Sequence, residues 1–161
     1  MVNKKILVVE DDIVLRDVLK DKLVQKGYTV TSVEDGEQAL IKMREDTPDL
    51  ILLDILMPRK NGMEVMEEMN TDETLTSIPV IVISNSGQPV EVQRAKELGA
   101  REFLIKAVFD PNEVLEKVAK VLNETSGALH YGDDSDDSVT NEDGESTTVI
   151  EFDDVDLGED D

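Results

Sequence analysis

The chain has 161 residues, with 38 acids against 16 bases, a formal net charge of −22, and no cysteine. The length suits one domain with a remainder, and the lack of thiols excludes a disulfide framework, thiolate catalysis and thiolate metal sites. So acidic a chain is repelled by nucleic-acid phosphates and anionic membranes, whose binding leans on Lys and Arg.

The charge is uneven. After Lys120 there is no Lys or Arg and there are 15 acids, so residues 1–120 carry 23 acids against 16 bases, or −7. The N-terminal stretch MVNKKILVVEDD runs into acids where a signal peptide needs a small-residue cleavage site. No apolar run approaches the roughly 18–20 residues of a membrane span. A cytoplasmic location is expected.

In chain order, KILVV (5–9), YTVTSV (28–33), DLILLD (49–54), IPVIVIS (78–84) and REFLIK (101–106) read as strands. Several are nearly continuous in Val, Ile and Leu, the mark of parallel strands covered on both faces. Helical patterns fall between them, near 13–26, 36–46, 62–70, 90–98 and 111–123. Gly27 and Gly99 stand where C-terminal glycines belong. DPNE (110–113) offers a capping Asp, a Pro at the first helical position and a Glu at the third. After it, Val114, Leu115, Val118, Val121 and Leu122 make one apolar face. Five strand–helix units predict a doubly wound α/β domain over about residues 1–123. A disordered acidic tail is expected over 124–161.

In such sheets ligands bind beyond the carboxyl ends of the strands. Strand 1 ends in Glu10, Asp11 and Asp12, strand 3 in Asp54, strand 4 in Ser84, and the fifth at Lys106. Carboxylates, a hydroxyl and an ammonium therefore meet on one rim. Mg²⁺ prefers oxygen ligands and keeps several waters, so two or three carboxylates suit it. The acidic triplet alone also fits a helix N-terminus, where acids favour the helix dipole; Asp54 at a neighbouring strand end favours the metal.

The stretches VVEDD, LILLDILMP and FLIKA resemble the receiver domain of two-component response regulators, over about residues 3–123. The spacings of 30 residues from Asp54 to Ser84 and 22 from Ser84 to Lys106 match that family. The resemblance implies a flavodoxin-like five-stranded parallel sheet of order 2-1-3-4-5. Asp54 would accept a phosphoryl group from a phosphohistidine on a sensor histidine kinase or a phosphotransfer protein. Asp11 and Asp12 would hold Mg²⁺, directly or through water, with Asp54 and the backbone carbonyl of Leu56. Lys106 would add positive charge, and Ser84 would donate to a phosphoryl oxygen. Phe103 stands where the family keeps a switch aromatic; ordinary core packing fits it equally well. Such a protein assists its own phosphotransfer and dephosphorylation and is not otherwise an enzyme.

Two departures stand out. Ala107 replaces the family's usual proline after the lysine, and a cis bond before a non-proline residue costs about 2.5–4 kcal/mol, which favours a trans loop. Asn85 follows Ser84 where a smaller residue is common, which narrows access to Asp54.

Other classes fit less well. A phosphatase with an Asp nucleophile wants a second acid two residues on, and position 56 is Leu. The turn after strand 1 has acids and no glycine, unlike a phosphate-binding loop. A receiver-like scaffold or adaptor that works without phosphate stays open.

Only 38 residues follow Asn123, rich in Gly, Ser, Thr and acid. A stand-alone receiver is therefore expected, signalling through a protein partner via the helix 4–strand 5–helix 5 face and the tail, without direct DNA binding. TTVIEFDDVDLGEDD (147–161) spaces Val149, Ile150, Phe152, Val155 and Leu157 among acids. Three readings fit it: a segment that orders on a partner, a solvated appendage, and a tail lying across basic residues of the domain.

Overall fold

A computed structural model of the chain describes residues 3–106, 110–125 and 149–151. Strands and helices alternate: β1 (Lys5–Val9), α1 (Ile13–Gln25), β2 (Thr29–Val33), α2 (Gly36–Glu45), β3 (Leu50–Asp54), α3 (Gly62–Met69), β4 (Val80–Ser84), α4 (Pro89–Glu97), β5 (Glu102–Ile105) and α5 (Pro111–Thr125). A last strand, β6 (Val149–Glu151), follows in the tail. The five parallel strands lie in the order β2-β1-β3-β4-β5, as expected. The boundaries fall within a residue or two of those read from the apolar runs.

The helices cover both faces, and alternation along the strands divides the core in two. Ile6, Val8, Leu50, Leu52, Ile81, Ile83 and Leu104 pack with α1 and α5 through Leu19, Leu23, Val114 and Val118. Leu7, Val9, Ile51, Leu53, Val80, Val82 and Phe103 pack with α2, α3 and α4 through Leu40, Met43, Val65, Met66, Val92 and Ala95. α1 and α4 are closed by Gly27 and Gly99, at φ of 100° and 103°, a conformation that suits glycine best. Asp110 accepts from the Asn112 backbone N–H ahead of α5. A reciprocal capping box, unforeseen in the sequence, joins Asn61 and Glu64 at α3.

Within the tail, the described residues 149–151 form a strand. β6 pairs antiparallel with β5, placing Val149 opposite Leu104, Ile150 opposite Phe103 and Glu151 opposite Glu102. Without it, β5 would be a bare edge with unpaired N–H and C=O groups, a template for any extended segment. Val and Ile have the strand preference to use it. The tail therefore meets the domain through backbone pairing at these residues. Ala107, with its expected trans loop, and the tail residues Phe152, Val155 and Leu157 lie outside the described residues. Among the described residues, no helix is long and apolar enough to cross a membrane.

Candidate functional site

The rim at the carboxyl ends of β1, β3 and β5 gathers charge. Glu10 follows Val9 and keeps the alternation of Ile6 and Val8, and Asp54 keeps that of Leu50 and Leu52. Both therefore belong to the α1/α5 side of the sheet, and both are buried, at 0% and 1% exposure. The Glu10 N–H donates to the Val33 carbonyl at 3.1 Å, and Arg16 Nη1 donates to the Glu10 carbonyl at 2.9 Å. These bonds fix the backbone where β1 ends. Asp54 is fixed by close packing behind it. The Gly62 N–H donates to the Ile55 carbonyl at 2.8 Å, and a Cβ at Gly62 would stand 2.5 Å from the Asp54 carbonyl oxygen. Only glycine lets α3 approach this closely.

Lys106 reaches both acids. Its Nζ lies 2.9 Å from Glu10 Oε2 and 3.2 Å from Asp54 Oδ1. Glu10 Oε2 also accepts from the Asp12 N–H at 3.0 Å. Glu10 Oε1 and both Asp54 oxygens are buried without a hydrogen-bond partner. Asp11 is exposed beside them, and carboxylate oxygens of Glu10, Asp11 and Asp54 lie within 4.8 Å of one another. Three carboxylates thus face one ammonium. Burial first, and the Glu10 charge second, push the Asp54 carboxyl up to about 8, against the pull of Lys106. At Lys106, burial lowers the ammonium, but the Glu10 hydrogen bond and the charges of Asp54 and Glu10 outweigh it and raise it.

The expected pairing of Asp11 with Asp12 is not what the structure brings together. Asp12 is the N-cap of α1, its Oδ1 accepting from the Val14 and Leu15 N–H groups at 3.0 and 3.3 Å. It stands outside the carboxylate cluster, and Glu10 takes its place. The acidic triplet therefore divides between the two chemistries open to it: two acids line the rim and one caps a helix. Glu10's strand parity with Ile6 and Val8 was the available signal.

Ser84 and Phe103 lie on the other side of the sheet. Ser84 keeps the alternation of Val80 and Val82, on the α4 side, and Phe103 is fully buried in the α2–α4 core. Lys106 is nonetheless tied to Ser84 through its backbone N–H, which donates to the Ser84 carbonyl at 2.7 Å. Asn85 is exposed. Leu56 is exposed at the mouth of the site, with Ile13, Val14 and Val90 also exposed at the helix starts on the same rim.

A parallel sheet in this order, with a buried acid cluster and a lysine at its carboxyl-end rim, defines a receiver-type α/β domain. The family model of the response regulator receiver domain matches residues 6–119, and the chain belongs to that family. It is 33% identical over 148 residues to the transcriptional regulatory protein CpxR of Escherichia coli, covering 91% of this chain and 58% of that one. It is 34% identical over 120 residues to the alkaline phosphatase synthesis transcriptional regulatory protein PhoP of Bacillus subtilis, covering 74% and 49%. The chain thus spans about half the length of the curated relatives it matches. Among solved structures, chemotaxis protein CheY4 of Vibrio cholerae superposes with a TM-score of 0.70 at 28% identity, covering 74% of this chain and 99% of that one.

The donor set fits a hard divalent cation. Buried carboxylate oxygens without partners, an exposed third carboxylate and an excess of negative charge are what Mg²⁺ satisfies.

Proposed function

We propose that the domain, residues 1–123, is a phospho-acceptor switch in which Asp54 takes a phosphoryl group from a phosphohistidine. The observation that carries this reading is the buried Asp54 carboxyl, neither oxygen of which has a hydrogen-bond partner, with Lys106 Nζ 3.2 Å from its Oδ1. An Asp54 oxygen forms the new bond to phosphorus as the phosphorus–nitrogen bond of the donor breaks. The imidazole leaves with that electron pair and takes up a proton. Lys106 stabilises charge on the phosphoryl oxygens. Glu10, Asp11 and Asp54 would hold Mg²⁺, together with the Leu56 carbonyl. When bound, Mg²⁺ neutralises the excess carboxylate charge and that of the phosphoryl oxygens. Ser84 then donates to a phosphoryl oxygen, and Phe103 repacks with it.

The exposed apolar residues Ile13, Val14, Leu56 and Val90 offer a rim on which a sensor kinase or phosphotransfer protein can seat its phosphohistidine. Output would pass by protein contact through the face of α4, β5 and α5 and the acidic segment 124–161. The test is intact mass after incubation with Mg²⁺ and acetyl phosphate. One phosphoryl group should add to the wild type and none to Asp54→Asn. A shift that persists in that variant assigns the phosphoryl group elsewhere, and no shift in either protein favours a scaffold that works without phosphate.

A further inference from the structure

Ser84 must give its hydroxyl proton to a phosphoryl oxygen if the proposed switch operates, and in this structure that proton is already committed. Ser84 Oγ lies 2.9 Å from Glu91 Oε1 and 2.9 Å from the Ser86 carbonyl, and it accepts from the Ser86 N–H at 3.2 Å. A serine hydroxyl has one proton, so these two acceptors share it. An ionised carboxylate accepts only, and hydrogen bonds to charged groups are the stronger ones.

Glu91 is placed for this by the start of α4. It is the third residue of the helix, behind Pro89, the position from which a Glu usually reaches back to the N-cap backbone. Gln88, the N-cap, makes no side-chain cap bond. Glu91 instead reaches seven residues back to the end of β4. Ser84 meets it there because its strand parity points to the α4 side, whereas Asp54 belongs to the α1/α5 side.

We infer that Glu91 is a positioning residue that holds the Ser84 hydroxyl away from Asp54 in the unphosphorylated protein, and so sets how readily the domain switches. Moving Ser84 to a phosphoryl oxygen breaks the bond to Glu91. The cost of that break is charged against the active state and lowers its population. The same break frees the first turn of α4, which couples the phosphoryl site to an outer face of the domain. The inference rests on the proposed phospho-acceptor function.

The experiment measures, on the full-length chain with Mg²⁺, the beryllofluoride concentration at half saturation and amide hydrogen exchange over residues 84–97. Glu91→Ala should bind beryllofluoride roughly three- to tenfold more tightly, the range set by one hydrogen bond. Exchange at the start of α4 should shift toward the wild-type bound pattern before any ligand is added. Glu91→Gln, whose amide oxygen accepts a neutral hydrogen bond, should fall between the two. In a Ser84→Ala background the Glu91→Ala change should have no further effect, because the bond it removes is already gone. Equal effects with and without the Ser84 hydroxyl, or an unchanged affinity in Glu91→Ala, would overturn the latch. A wild type that neither binds beryllofluoride nor accepts a phosphoryl group refutes the phospho-acceptor reading, a result distinct from either of those.

Discussion

The two sides of the sheet's carboxyl end are built on opposite principles. Toward α1 and α5, Glu10, Asp54 and Lys106 are ionisable, buried and incompletely satisfied. Toward α4, Ser84 is neutral with its hydrogen bonds made, and Phe103 is packed in apolar core. Buried ionisable groups without full pairing are costly, so the first side carries a cost that added positive charge would relieve. The second has no such debt and stays in one arrangement until something changes next to it. The Lys106 N–H to Ser84 carbonyl bond joins the two through the backbone. Under the proposed function, capture and response would be divided between faces of one sheet, a strand's alternation apart.

The sharpest way to break this contrast is to titrate the charged side. In the metal-free protein the folded state holds the Asp54 proton up to about 8, against an ordinary value of 3.8. The folded state therefore binds more protons than the unfolded state between those limits. Stability from this group is full below about pH 4 and is lost as pH rises through about 8. The loss is on the order of a few kcal/mol. Urea midpoints at about pH 5 and about pH 9 should fall with rising pH in the wild type and much less in Asp54→Asn. Added Mg²⁺ should flatten the wild-type slope, because it favours the carboxylate. Equal slopes in both proteins would show that burial at Asp54 stores no such cost.

Much of this architecture was legible in the residues. Val, Ile and Leu runs marked the five parallel strands, and Gly27 and Gly99 marked two helix ends. The positions of Asp54, Ser84 and Lys106 at strand ends were legible for the same reason. What escaped depends on contacts rather than on local pattern. The triplet of acids reads alike for a metal site and a helix cap, and only packing separates Glu10 from Asp12. Gly62 carries no chemistry of its own; its role appears only with α3 against the Asp54 carbonyl. Glu91 looks like any first-turn acid until Ser84 is seen beside it. The three-residue β6 pairs with residues more than forty positions earlier, a separation that periodicity cannot register.

A smaller effect sharpens the assignment within the charged side. Mg²⁺ at roughly one hundred times its Kd stabilises a protein that binds it only when folded by about 2.7 kcal/mol. Glu10→Gln should lose most of the Mg²⁺-induced rise in Tm. Asp12→Ala should keep it, while lowering Tm in the absence of the ion by the equivalent of about 1 kcal/mol for a lost cap. The reverse outcome, with Asp12 essential to the Mg²⁺ response and Glu10 dispensable, would restore the pairing of Asp11 with Asp12.

The smallest effect concerns the edge of β5, the strand that carries Phe103 and leads to Lys106. Residues 126–148 separate α5 from β6, 23 positions in all. Closing a loop of that length costs about 3 kcal/mol beyond a constant. The few backbone bonds of a three-residue pairing return roughly 0.5–1.5 kcal/mol each. These terms nearly cancel, so β6 should hold the edge without contributing much to global stability. Replacing Val149 and Ile150 together with glycine removes the strand preference but leaves length and charge unchanged. In that variant amide exchange over residues 102–105 should quicken, the urea midpoint should move by less than about 1 kcal/mol in equivalent stability, and phosphorylation of Asp54 should be retained. Unchanged protection at 102–105 would mean that β6 does not cover β5 in solution. A large loss of stability would mean instead that the strand is an integral part of the sheet. Between those outcomes, a quickened edge on an otherwise intact domain identifies β5 as a surface the chain covers loosely with its own tail, and any partner that adds a strand there competes with residues 149–151 for the same backbone groups.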